Sequence, residues 1–113
     1  MKIDVHAMKK NLKEMIRINS ENPPGNEKAI IDYLENEFKK VGLKYKIIEV
    51  APRRLSIIGE TNPGKKTVNL VCHADTVPLS SIPLEPIEEN NILFGRGTVD
   101  DKGAIASGLE TAK

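Results

Sequence analysis

The sequence has little of several features that would otherwise narrow its function. It has no tryptophan and one cysteine, and aromatic residues make up only 4% of its 113 residues. The single cysteine, Cys72, cannot form an internal disulfide, and a core without large rings has to be built from isoleucine, leucine and valine. The composition therefore excludes a disulfide-stapled module, and the length allows one domain at most.

An excess of one charge is also missing, because 17 basic residues against 16 acidic ones leave a net charge of +1. That balance provides no long-range field for attracting a polyanion or an anionic membrane surface, so we expect neither nucleic acid nor a membrane as a partner. The sequence also has no run of about 18 apolar residues and no uninterrupted apolar signal core. These absences predict a cytoplasmic protein.

The spacing of the apolar residues predicts a mixed α/β arrangement. Spacings of three and four predict a first helix over residues 5–16 and a second over residues 27–41, with Asn26 as its N-cap and Gly42 at its C-terminal end. Isoleucine-rich segments predict strands at residues 45–50, 55–58 and 92–94, and a last helix begins near Asp101. These helices are too few to cover both faces of a sheet.

A nearly continuous apolar run at residues 67–72 predicts a strand that is covered on both faces, and it leads directly into a histidine and an aspartate. Because residues i and i+2 of a strand point to the same side, His73 and Asp75 should project together from its carboxyl end, where open α/β sheets bind ligands. Imidazole is a good zinc ligand, and a carboxylate can accept the proton of its other nitrogen. The alternative is a buried histidine bound to a local aspartate for structural reasons.

A second group of polar residues, Asp100 and Asp101, stands at the start of the last helix. Acidic residues there are commonly caps that complement the helix dipole. However, Gly95 and Gly97 precede them and would allow a close approach of the backbone, and a carboxylate can bridge two metal ions about 3.5 to 4 Å apart. The glycines lack the remainder of a phosphate-binding motif, so we discount phosphate binding.

The other candidate side chains carry weaker signals. His6 is predicted to be an ordinary surface residue of the first helix, and Lys102 to be either solvated or paired with one of the aspartates. Cys72 should point to the face opposite His73 and be a small buried residue instead of a ligand or nucleophile. Arg96 could anchor its loop, and the sequence assigns it no catalytic role.

Two motifs now stand in order along the chain, HADTVP at residues 73–78 and GRGTVDDKG at residues 95–103. Together they resemble the two metal-binding motifs of the dinuclear zinc hydrolases that include acetylornithine deacetylase, succinyl-diaminopimelate desuccinylase, aminoacylase and glutamate carboxypeptidase. The segment NPPGNE at residues 22–27 is similar to the opening segment of that family, so the resemblance covers nearly the whole chain.

The resemblance implies a role for each matching residue. His73 is a ligand of one zinc ion, Asp75 is the catalytic-site carboxylate that orients it, and Asp100 bridges two zinc ions, which Co²⁺ could replace. Asp101 is not expected to be a ligand. The implied reaction is metal-dependent hydrolysis of an amide in an N-acyl amino acid or a short peptide, through a water between the metals. The family's tryptophan-containing segment between the motifs is shortened here to residues 79–86.

The resemblance also implies that residues 1–113 are the amino-terminal portion of an α/β catalytic domain, with a mixed sheet flanked by helices and cut within its last helix. The remaining ligands, a general-base glutamate and a smaller domain through which members form homodimers would then lie elsewhere. A Glu-Glu pair is expected roughly 30 to 40 residues after Asp100. We expect this chain alone to be inactive. The alternatives are a non-catalytic remnant and a small α/β binding module.

Overall fold

Three helices dominate the computed structural model, which describes residues 2–113. They are α1 (Val5–Arg17), α2 (Lys28–Val41) and α3 (Lys102–Thr111). All three were predicted, and α1 begins where the apolar spacing begins. Asp4 caps α1, since its side chain accepts a hydrogen bond of 2.9 Å from the backbone nitrogen of Ala7 and so pairs one of the free N–H groups of the first turn.

The ends of α2 fit the prediction at one terminus only. Gly42 adopts the left-handed conformation with φ of 82° and closes the helix, as expected for a glycine at this position. The prediction of Asn26 as the N-cap is wrong, because Glu27 occupies that position and its side chain caps nothing. The buried Glu27 carboxylate instead accepts a hydrogen bond of 2.9 Å from Nε of Arg54, which connects α2 to the neighbouring hairpin.

The four strands form two antiparallel pairs within residues 2–113. The first pair is β1 (Lys44–Ala51) with β2 (Arg54–Glu60), and the second is β3 (Ile87–Glu89) with β4 (Ile92–Phe94). The α/β class is therefore confirmed, but the strands make two separate hairpins in place of one mixed sheet. The sequence analysis missed β3, whose three residues are too short to show a period.

The predicted strand over residues 67–72 is wrong. These residues form no strand and are all exposed, with Val68 and Val71 at 84% and 88% of their full accessibility. A central strand takes its hydrogen bonds from neighbouring strands and its apolar cover from helices on the two faces of the sheet, whereas β1 and β2 here pair with each other. Cys72 is exposed as well, so the prediction that it is buried is also wrong.

The buried core lies among the helices. Side chains from all three helices form it: Met15, Ile30, Ile31, Leu34, Ile105, Ala106 and Leu109. Helix α1 packs against α3, and α2 packs against the β1–β2 hairpin, whose Ile47, Leu55 and Ile57 lie against the core. The first turn of α3 is thus fixed to the core immediately after Asp100 and Asp101.

None of the helices described over residues 2–113 has the length and apolar character to cross a membrane.

Candidate metal-hydrolase site

The two motifs meet in space at a histidine and an aspartate. Nε2 of His73 lies 2.8 Å from Oδ1 of Asp100, although the two residues are 27 positions apart in the sequence. Both side chains face solvent, with the histidine 52% and the aspartate 81% exposed. The predicted juxtaposition of the two motifs is therefore present in the structure, at an open surface.

Asp75 lies on the other side of the imidazole. Nδ1 of His73 is 3.3 Å from Oδ1 of Asp75 and 3.0 Å from its backbone oxygen. The imidazole thus lies between two aspartates, with Asp75 at Nδ1 and Asp100 at Nε2. This is a geometry in which an oxygen of Asp75, from its backbone or its carboxylate, can accept the Nδ1 proton while Nε2 serves as a ligand. The ligand and orienting roles of these residues remain predictions.

A loop after α1 positions the segment that carries His73. Thr76 donates its backbone N–H to the oxygen of Ser20 at 3.0 Å, and Asn22 donates to the oxygen of Thr76 at 2.7 Å, which makes a single parallel bridge. The buried hydroxyl of Ser20 donates to the oxygen of Ala74 at 2.7 Å. Residues 74–76 are therefore fixed by backbone contacts even though no strand precedes them.

The second aspartate of the pair also contacts the histidine segment. Oδ2 of Asp101 accepts a hydrogen bond of 3.2 Å from the backbone nitrogen of His73, and the peptide bond between Asp100 and Asp101 is cis. Asp101 stands at the N-cap position of α3 without capping it. The capping explanation for this residue is therefore not what the structure shows, because its carboxylate binds the other motif.

Lys102 has a role that the sequence analysis missed. Its side chain is 1% exposed, and Nζ donates to the backbone oxygens of Met15 at 2.8 Å and Ile18 at 2.9 Å. Those carbonyls are at the C-terminal end of α1, where the helix dipole favours a positive charge. Burial lowers the pKa of Lys102 to about 8, so the ammonium is still the major form at pH 7. The prediction that Lys102 is solvated or paired with an aspartate is wrong.

The glycines of the second motif permit close packing, as predicted. Gly97 has φ of +90°, and a Cβ there would lie 2.9 Å from Cδ of Lys102 and 3.1 Å from Cγ2 of Thr76. Both the backbone conformation and the neighbouring side chains therefore require glycine. Gly97 is consequently the point at which the first motif, the second motif and the buried lysine come into contact.

The charges around the imidazole favour its protonated form. The hydrogen bond with Asp100 raises the pKa of His73, and the backbone oxygen of Asp75 acts in the same direction. The pKa of Asp75 is lowered, chiefly because the side chain of Asn22 donates to its carboxylate. Asp100 therefore favours the protonated form of His73, and a metal ion bound at Nε2 would have to displace that proton.

The donor atoms present match zinc in type but not in number. An imidazole nitrogen and a carboxylate oxygen are ordinary zinc ligands, and a zinc site usually takes three or four protein ligands. Within residues 2–113, no group of three or more histidine, cysteine, aspartate and glutamate side chains is arranged to bind a metal ion. His6 is exposed on α1, and Nε of Arg96 is buried without a hydrogen-bond partner among residues 2–113. His73 and Asp100 can thus supply two ligands of a larger set.

Comparison with known proteins agrees with the resemblance of the two motifs. Residues 70–113, which contain both motifs, match the model of peptidase family M20/M25/M40. The chain is 35% identical over 94 residues to an acetylornithine deacetylase of Vibrio atlanticus, an alignment that covers 79% of this chain and 25% of that protein. It is 29% identical over 100 residues to a protein of Staphylococcus aureus described as a "Probable succinyl-diaminopimelate desuccinylase", covering 83% of this chain and 24% of that protein.

A solved structure agrees with the sequence matches. The fold superimposes on a tripeptidase from Staphylococcus aureus with a TM-score of 0.77 and 25% sequence identity, over 97% of this chain and 32% of that one. The chain spans about a quarter of the length of the curated relatives it matches. The likeness therefore extends over nearly all of residues 1–113 and over a limited part of each relative.

Proposed function

Because these matches confirm the predicted resemblance to the M20/M25/M40 peptidases, we propose that the protein contributes to metal-dependent hydrolysis of an amide bond. The observation that carries the proposal is the 2.8 Å approach of His73 Nε2 to Asp100 Oδ1, because it joins the two motifs at one point. Two residues 27 positions apart have no local reason to meet, and both are ligand types for a divalent metal.

In this proposal each residue of the site has a distinct task. His73 presents Nε2 as a ligand, Asp75 accepts the Nδ1 proton and so fixes the tautomer, and Asp100 is the carboxylate shared between two zinc ions. When bound, such a metal pair supplies a Lewis acid for the substrate carbonyl and lowers the pKa of a water. Asp101 fixes the backbone at His73. The further ligands and the general base belong to residues other than these.

The proposed substrates are small molecules, namely N-acyl amino acids or short peptides. The names of the relatives support this class, since they include a deacetylase and a tripeptidase. Zinc as the metal, Co²⁺ as its substitute, homodimerisation and a cytoplasmic location are further parts of the proposal. For residues 1–113 alone we propose no activity, because two protein ligands do not make a catalytic zinc site.

The test is an assay of N-acetyl amino acids, N-succinyl amino acids and tripeptides with added Zn²⁺ or Co²⁺. It compares the 113-residue chain with a protein that extends the chain to the length of its relatives. We expect hydrolysis by the longer protein only, and His73→Ala should reduce its kcat/KM by roughly a thousandfold or more, because a metal ligand is lost.

The matched control is His6→Ala, which removes the other histidine and should leave kcat/KM within about twofold. If His73→Ala were as active as the unsubstituted protein, the alternative would be favoured in which the histidine and aspartates of a small α/β domain are structural. Hydrolysis by the 113-residue chain itself would contradict the claim that it lacks necessary ligands.

A further inference from the structure

Asn22 contacts the candidate site from outside the two motifs. Its side-chain nitrogen Nδ2 donates a hydrogen bond of 3.0 Å to Oδ2 of Asp75. An ionised carboxylate only accepts hydrogen bonds, so the amide has to present its nitrogen and not its oxygen to Asp75. The contact occupies the carboxylate oxygen that faces away from the imidazole, and it leaves Oδ1 at 3.3 Å from Nδ1 of His73.

The backbone of Asn22 is fixed next to the residue that its side chain contacts. Its N–H donates to the oxygen of Thr76 at 2.7 Å, and the N–H of Thr76 donates to Ser20 at 3.0 Å. Thr76 and Ser20 are buried, with exposed fractions of 5% and 1%. The Asn22 side chain therefore starts from a backbone with little freedom, directly alongside Asp75.

We propose that Asn22 is a positioning residue that fixes the rotamer of Asp75, so that Oδ1, beside the nearer backbone oxygen of the same residue, accepts the Nδ1 proton of His73 and Nε2 is left for a metal ion. The series of contacts runs from Asn22 to Asp75, from Asp75 to His73, and from His73 to Asp100. The inference rests on the proposed function, since the orientation of His73 matters for hydrolysis only when His73 is a ligand.

This role differs from general support of the fold. Ser20 bridges the same two segments through its hydroxyl, which donates to the oxygen of Ala74 and not to the Asp75 carboxylate. If Asn22 served only to connect the loop to residues 74–76, removing the Ser20 contact would have the same effect on the imidazole. If Asn22 acts on the Asp75 carboxylate, only the Asn22 change alters His73.

The experiment measures the ring ¹⁵N resonances of His73 in the metal-free 113-residue chain, at a pH where the imidazole is neutral. The two nitrogens report the ratio of the Nδ1-protonated to the Nε2-protonated tautomer. Asn22→Leu keeps the side-chain size and removes the donor, so the Asp75 carboxylate is free to rotate away from Nδ1 and we expect the ratio to fall roughly threefold. Ser20→Ala should leave the ratio unchanged.

Two results would overturn the inference: an unchanged ratio in Asn22→Leu, or an equal fall in Ser20→Ala. If Asn22→Leu does not fold, hydrogen exchange in the unsubstituted chain tests the inference. The side-chain amide protons of Asn22 should then exchange roughly fivefold more slowly than those of the exposed Asn19, and equal rates would contradict the claim.

None of these measurements uses a metal or a substrate. A changed ratio with no hydrolysis by the longer protein would therefore reject the proposed function and keep the contact between Asn22 and Asp75. Hydrolysis that is lost in His73→Ala, together with an unchanged ratio in Asn22→Leu, would keep the proposed function and reject the role of Asn22.

Discussion

The two sides of the candidate site are attached to the molecule in different ways. Asp100 and Asp101 lead into α3, whose Ile105 and Leu109 lie in the core and whose Lys102 binds the end of α1. His73 follows an exposed segment, residues 67–72, and is fixed only from its other side, by the loop at residues 20–22 and by Asp101. The aspartate side is thus built on a rigid element and the histidine side on a loop.

These two attachments determine how precisely each side of the site is positioned. A group on the first turn of a packed helix has its position set by the core, whereas a group on an exposed segment depends on each individual hydrogen bond. Changes to the core should therefore affect stability strongly, and changes to the exposed run before His73 should affect it little. Four substitutions with matched controls examine this contrast, from the largest effect to the smallest.

The largest difference is expected between two leucines. Leu109 is 4% exposed in the core, and Leu70 is 60% exposed in the run before His73. Leu109→Ala removes buried methyl groups and leaves a cavity, so the free energy of unfolding should fall by about 2 to 5 kcal/mol, whereas Leu70→Ala should change it by less than about 0.5 kcal/mol. Urea denaturation of both variants measures this, and equal losses would remove the contrast.

The second-largest loss of stability is expected for a substitution of Lys102. Lys102→Met keeps much of the side-chain volume but leaves the oxygens of Met15 and Ile18 without their donor, so unfolding should become easier by about 1 to 3 kcal/mol. The control Lys40→Met changes a lysine that is 69% exposed in an ion pair with Glu37 and should alter stability by less than about 0.5 kcal/mol. An unchanged free energy of unfolding in Lys102→Met would show that α1 does not need this contact.

Alanine substitutions at two glycines should change the free energy of unfolding in opposite directions. Gly97→Ala places a Cβ at φ of +90° against Lys102 and Thr76, which should lower the free energy of unfolding by roughly 1 to 3 kcal/mol. Gly108 lies within α3 with open space around it. Gly108→Ala should therefore raise the free energy of unfolding by about 0.5 to 1 kcal/mol, because alanine has the higher helix propensity. Thermal melts of the two variants should therefore move in opposite directions, and a stabilised Gly97→Ala would contradict the packing described here.

The smallest effect concerns the pH dependence of the His73 and Asp100 contact. A raised pKa of His73 in the folded state means that the contact stabilises the fold below the ordinary histidine pKa of about 6.5, and that this contribution is lost as the pH rises through the raised value. Asp100→Asn should thus destabilise the chain more at pH 5.5 than at pH 9, by a small amount that salt reduces because both groups are exposed.

The matched control for this pH dependence is Asp32→Asn, which breaks an exposed ion pair with Lys28 on α2. That pair contains no histidine, so the loss of stability should not depend on pH in this range. An equal pH dependence in the two variants would show that the His73 and Asp100 contact is not its source.

The sequence predicted those features that depend on local pattern. The three helices follow from apolar spacing, the end of α2 follows from the left-handed conformation of Gly42, and the close approach at Gly97 follows from the absence of a side chain there. The juxtaposition of His73 and Asp100 was instead implied by the resemblance of the two motifs to those of a known family. The other inferences used information contained in a short stretch of chain.

The features that failed depend on partners distant in sequence. An apolar run such as residues 67–72 becomes a central strand only beside other strands, and periodicity cannot show whether those strands are present. Lys102 looked solvated because its acceptors lie 84 and 87 residues earlier. Asn22 and Asp101 gave no signal of their contacts with the histidine segment, since a hydrogen-bonding side chain alone does not name its partner.

The proposed function requires His73 and Asp100 to be two ligands of one metal site. A zinc titration of the 113-residue chain, followed through the ring ¹⁵N resonances of His73 and the carboxyl ¹³C resonance of Asp100, tests this directly. We predict weak binding in which both resonances shift with one shared midpoint, the His73 proton is released, and Asp100→Asn weakens the binding. A shift of His73 alone, with the same zinc affinity in Asp100→Asn, would contradict it.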